Sequence, residues 1–138
     1  MTVRRGMAGL RGERGSTTAT VIVFPALLTL LMVVLQFALA FHGKAVLTAA
    51  AQDATRAAQL AGGDEAAGRT EAELVVAESG TTVIRDLDID VTLSPDGREV
   101  TTTVAGTVMR LLPIPGLQLH IAGSASGPTE EFRAERQG

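Results

Sequence analysis

Residues 19–41 read ATVIVFPALLTLLMVVLQFALAF, 23 positions without one charged side chain. At a helical rise of about 1.5 Å per residue such a stretch reaches roughly 34 Å, enough to cross a hydrocarbon core about 30 Å thick with some tilt. Fourteen of the positions are Leu, Ile, Val or Phe. Each favours insertion by about 0.3–0.6 kcal/mol near the helix centre, roughly 6 kcal/mol together. Opposing them are Thr20, Pro25, Thr29 and Gln36, none of which ionises. The stretch reads as a membrane-spanning helix.

Charge is arranged around it. Residues 1–18 carry Arg4, Arg5, Arg11 and Arg14 against Glu13, a balance of +3, whereas residues 42–138 carry a balance of −6. Basic residues beside a first span are retained on the cytoplasmic side, which sets a single-pass, N-in orientation in the cell membrane. The expected division is a basic cytoplasmic leader (1–18), a transmembrane helix (19–41) and an extracytoplasmic α+β domain (42–138). Cysteine is absent, and Phe132 is the one aromatic residue beyond the span. The outer domain must therefore build its core from Val, Leu, Ile and Ala without disulfide staples.

After Phe41 the helical pattern continues. Eight of residues 44–61 are Ala, the best helix former, and Val46, Leu47, Ala50, Ala54, Ala57, Ala58 and Ala61 make one slender apolar face. Gly62-Gly63 ends that helix at about 61, and Asp64 caps a shorter one over about 64–79. The period then changes to two. Ile89, Val91 and Leu93 alternate with Asp86, Asp88 and Asp90, which predicts a half-buried strand over about 83–93. Ser94-Pro95-Asp96-Gly97 supplies a turn, and the β-branched run beyond it predicts a return strand over about 98–109. Past Leu112-Pro113-Ile114-Pro115-Gly116, the alternating Leu117, Leu119 and Ile121 predict a third strand over about 117–123, followed by a loose polar tail. The fold class is α+β: a transmembrane helix running into an Ala-rich helix, a short second helix and a small antiparallel sheet of about three strands.

Chemistry-bearing residues are sparse. The three aspartates fail the calcium-loop pattern, since Val91 and Gly97 stand where a Gly and a bidentate Glu are required. They read as a solvated strand face, and no metal or other cofactor is implied. His42 and His120 lie in different elements with no nucleophile or carboxylate at a catalytic spacing, so no catalytic residues are assigned and an enzyme with a small-molecule substrate is not expected. The basic residues are few, beside the membrane and without stacking aromatics, which argues for anionic lipid rather than nucleic acid as their partner. Pro25 predicts a kink in the span, and Gln36 is an amide able to bond a partner helix in lipid or to reach the headgroups.

Certain residues carry a resemblance. Arg14-Gly15-Ser16-Thr17-Thr18-Ala19 resembles the RGS-type junction of the TadE-like family, pilin-like proteins of the tight-adherence (Flp, type IVc) pilus system. Phe24-Pro25-Ala26-Leu27-Leu28 is similar to that family's early proline and leucine run, and Gln36-Phe37 with the following AAAQDATRAA to its membrane exit. Ser126-Gly127-Pro128 with Glu131-Phe132 is similar to the ending of actinobacterial members. The resemblance implies a pseudopilin-like minor pilin or pilus-assembly protein, working by contact with lipid and with other pilin-like or Tad assembly proteins. It also implies processing between Gly15 and Ser16. Thr20 then occupies the fifth mature position, where many pilin-like precursors carry Glu, and this leaves processing at that bond open. Two alternatives share the anatomy: a secreted binding domain released after Ala38-Leu39-Ala40 by signal peptidase, and a membrane-anchored accessory subunit unrelated to pili.

Overall fold

Ala-rich and Leu-rich sequence, with Pro25 and single glycines at 15 and 43 as its weak points, forms one helix, α1 (Glu13–Leu60), 48 residues long. The computed structural model describes residues 13–62, 64–79 and 83–129. Arg4, Arg5 and Arg11 of the basic leader, Gly63 of the predicted helix stop, and Glu131-Phe132 of the family-like ending lie outside the described residues. The membrane-span stretch and the Ala-rich stretch are thus continuous in one rod. Gly62 ends it in the left-handed region, φ 71°, where a side chain would be strained.

The second helix, α2 (Glu65–Ser79), starts as its sequence dictates: the Asp64 carboxylate accepts the Ala66 N–H at 2.9 Å. It lies against α1 through its small residues. A Cβ placed on Gly68 would stand 3.0 Å from the Ala54 carbonyl oxygen and 3.2 Å from both the Ala58 Cβ and Val91 Cγ1. Gly68, Ala72 and Val76 are the buried positions of α2.

The sheet holds β1 (Ile84–Leu93), β2 (Glu99–Val108) and β3 (His120–Pro128), antiparallel in the order β1-β2-β3. The β1–β2 turn closes with Gly97 N–H on the Ser94 carbonyl at 2.8 Å, and the Ser94 hydroxyl accepts the Glu99 N–H at 2.9 Å. Both helices cover one face of this sheet. Val100, Thr102, Val104, Gly106 and Val108 of β2 point inward, with Ile84, Ile89 and Val91 of β1, onto Leu47 and Ala50, Ala51 and Ala54 of α1. Burying each large aliphatic side chain contributes about 1.5–3 kcal/mol, so a core with few large residues stands on close approach as much as on area.

Three features depart from the sequence reading. Alternation through the aspartates is broken by a bulge: Arg85 pairs with Thr107, the next pair is Asp88 with Ala105, and Asp86 and Leu87 together oppose Gly106. Asp86 takes φ 52°, which Asp tolerates better than most residues. The bulge lets Ile84 and Ile89 point the same way despite their odd spacing, and it takes Asp86 out of step with Asp88 and Asp90.

The third strand begins three residues later than its alternation predicts and runs on to Pro128. Its Gly- and Ser-rich half, read from the sequence as tail, is held by tertiary packing. A Cβ on Gly123 would stand 2.6 Å from the Leu47 carbonyl carbon and closer still to the Thr48 nitrogen, so only glycine lets the strand lie on the helix backbone there.

The buried face of α1 also turns further round than predicted. Ala51 and Thr55 are buried, Ala57 is half-buried and Ala61 is exposed, because one helix serves both α2 and the sheet.

Candidate functional site

The site follows from how the head is laid along α1. Going up the helix, Gly43 approaches Ile121, Thr48 approaches Gly123, the Thr55 hydroxyl donates to the Ala125 carbonyl at 3.3 Å, and Gln59 meets Gly127. β3 therefore runs parallel to α1, and the β2–β3 connection, residues 109–119, lies at the end nearer the apolar stretch.

There it meets Gln36. The Gln36 side-chain amide donates from Nε2 to the Met109 carbonyl at 3.2 Å, and its Oε1 accepts the Leu111 N–H at 2.7 Å. A carboxamide offers one donor edge and one acceptor edge, as a peptide group does, so Gln36 bonds alternate backbone groups of this segment as a neighbouring strand would. Its side chain is 5% exposed. Both bonds stay within the chain, so the amide that sequence reading aimed at a partner helix or the headgroups is taken up by the protein's own head. Sequence reasoning missed this pairing. The one available signal was an amide on an apolar helix together with a proline-interrupted, apolar connection lacking strand partners.

Below Gln36 the head leaves the helix bare. Every position from 19 to 31 is exposed, including Val21, Ile22, Phe24, Leu27, Leu28 and Leu30, while Met32 and Val33 are half-buried. Residues of this helix are long and apolar enough to cross a membrane, and only 6% of the most apolar window is buried, unlike a helix in a soluble core. The helix continues through Pro25, and the Thr29 hydroxyl donates to the Pro25 carbonyl at 2.9 Å, the bond to the preceding turn that satisfies a hydroxyl on an apolar helix. Gly15 and Ser16 fall in the first turns of α1, and Thr20 is exposed on it.

His42 is exposed on α1. His120 opens β3 and, with Asp86, Asp88, Thr107 and Gln118, lines a shallow depression of about 410 Å³ on the outer sheet face. The bulge and the β2–β3 register bring these groups near one another, which their sequence separation did not show. Among the described residues no three His, Asp or Glu side chains are grouped so as to hold a metal ion. At the far end of the sheet, the Ser94 hydroxyl and then the Arg98 N–H hold the Asp96 carboxyl below its ordinary range.

Residues 19–56 match the family model described as TadE-like protein, 38 of the chain's 138 positions. The match begins where the apolar stretch begins and ends on the part of α1 that carries the head, and it agrees with the resemblance read from the sequence. No curated protein and no solved structure matches the chain.

Proposed function

From the TadE-like match over residues 19–56, we propose that the chain is a membrane-anchored TadE-like minor pilin or pilus-assembly component of a tight-adherence (Flp) pilus system. It works by contact and not by catalysis. The bare lower part of α1 anchors it in the cell membrane and the head lies outside, with the N-terminus in the cytoplasm. Other pilin-like or Tad assembly proteins are its partners, through helix and head contacts.

One observation supports the membrane anchoring in this reading: a long apolar helix surface is left uncovered by a head that packs on the same helix directly above it. Hydrophobic surface exposed on that scale is stable only in lipid or against another apolar surface. Release as a soluble domain is disfavoured by the same geometry. Cutting after Ala40 would divide α1 between Gln36 and Gly43, both of which the head uses.

The test is in-cell photocrosslinking from Leu28 on the bare helix and from Thr101 on the outer sheet face, with mass spectrometric identification of the adducts. Adducts to pilin-like or Tad assembly proteins are expected. Adducts confined to lipid or to proteins of unrelated systems would refute the pilus assignment. N-terminal sequencing of the same material reads the processing state: Ser16 as first residue for pilin-type cleavage, Met1 for none, Phe41 for a removed signal.

A further inference from the structure

We infer that the β2–β3 connection, residues 110–119, is a second membrane contact: an apolar loop whose tip enters the outer lipid interface beside the helix. This rests on the membrane reading above and adds to it a site on the head.

The geometry fixes the loop's height. β2 ends and β3 begins at the level of Gly43, whose Cβ position is 3.5 Å from Val108 Cγ2 and 2.8 Å from Ile121 Cδ1. Yet the residue that holds Met109 and Leu111 is Gln36, seven positions or about 10 Å further down the helix, so the chain leaves the sheet toward the apolar stretch. The chain turns there through short-range bonds, Ile114 N–H to the Leu112 carbonyl and Leu117 N–H to the Ile114 carbonyl, and returns to pair Leu119 with Val108. Half-burial begins on α1 at Met32 and Val33, one turn lower still, where the head's cover starts.

The loop's chemistry matches that height. Leu111 is 39% and Ile114 48% exposed, with Pro113 and Pro115 also exposed, an apolar surface at the end of the head nearer the bare helix. Prolines have no N–H to leave unbonded in an apolar medium. Arg110 is exposed at the loop's start, suited to an anionic headgroup. Counting about 30 Å up from Ala19, where the apolar stretch starts, ends the hydrocarbon near Ala38, so the clamp at Gln36 falls close to the outer boundary and the loop with it. Lipid, and not a second copy of the chain, is the committed occupant because the Gln36 clamp sets the loop at the level where the bare helix leaves the hydrocarbon.

The chain has no Trp, so a single introduced indole reports its own depth. Three full-length variants, Leu28→Trp, Ile114→Trp and Thr101→Trp, are reconstituted in vesicles containing lipids brominated either high or deep on the acyl chain. The expected result is quenching of Leu28→Trp mainly by deep bromines and no quenching of Thr101→Trp. Ile114→Trp should lose about half its emission or more to shallow bromines, the depth of roughly 5–10 Å that interfacial segments reach. Quenching at position 28 without quenching at 114 would overturn the loop contact and leave the anchor standing. Absence of quenching at both would overturn anchor and loop together. A blue shift at 114 that grows with protein density, without quenching, would assign the loop to a second copy and overturn the lipid contact.

Discussion

Replacing Gln36 by Leu removes both bonds to the β2–β3 connection while making the span more apolar, so two properties should move in opposite directions. Each intramolecular hydrogen bond contributes about 1 kcal/mol net, and the loss is larger where a group is left unpaired out of reach of water. With the Gln36 side chain 5% exposed, the pair should be worth about 2–3 kcal/mol to the docking of residues 109–111. At about 1.4 kcal/mol per factor of ten, opening of that segment becomes roughly 30-fold or more easier. Amide hydrogen exchange in nanodiscs reads this at the Leu111 N–H, which should lose its protection while amides in the centre of β2 keep theirs. Resistance to extraction from the membrane should rise, since Leu favours the hydrocarbon by about 0.3–0.6 kcal/mol. Unchanged exchange at Leu111 in Gln36→Leu would refute the clamp.

Gly123→Ala should destabilise the head by about 1–3 kcal/mol, because the new Cβ meets helix backbone at Leu47 and Thr48 that cannot rotate away; a thermal melt of the head that stays in place would contradict the close approach. The Asp96 carboxyl is held below its ordinary value of 3.8 by Ser94 and Arg98, so its stabilisation of the turn is full above that value and is lost as pH falls through the lower folded value. The protection factors of the Gly97 and Glu99 amides, taken against their intrinsic rates at each pH, should therefore fall on acidification, and Asp96→Asn should remove that pH dependence.

What sequence made legible divides along physical lines. The long helix, its stop at Gly62, the Asp64 cap and the Ser94-Gly97 turn each follow from local chemistry acting on neighbouring residues, and local chemistry is what a sequence displays. The bulge at Asp86 and Leu87 and the extension of β3 through Gly123 and Gly127 depend on what lies across the fold. Glycine and serine weaken a strand by propensity, but here the helix surface demands residues without bulk, and packing overrides propensity. The candidate site shows the same split. The apolar stretch was read at once, whereas the Gln36 pairing joins residues more than 70 positions apart and has no signature along the chain.

The central claim is that lipid surrounds α1 below Gln36 and water surrounds the head above it. With no native cysteine in the chain, single-cysteine variants along α1 give the direct measurement: labelling of Leu28→Cys and Lys44→Cys in intact cells by a membrane-impermeant maleimide. Rapid labelling is expected at position 44, with protection at position 28 until the membrane is dissolved. Equal labelling at both positions in intact cells would contradict the claim.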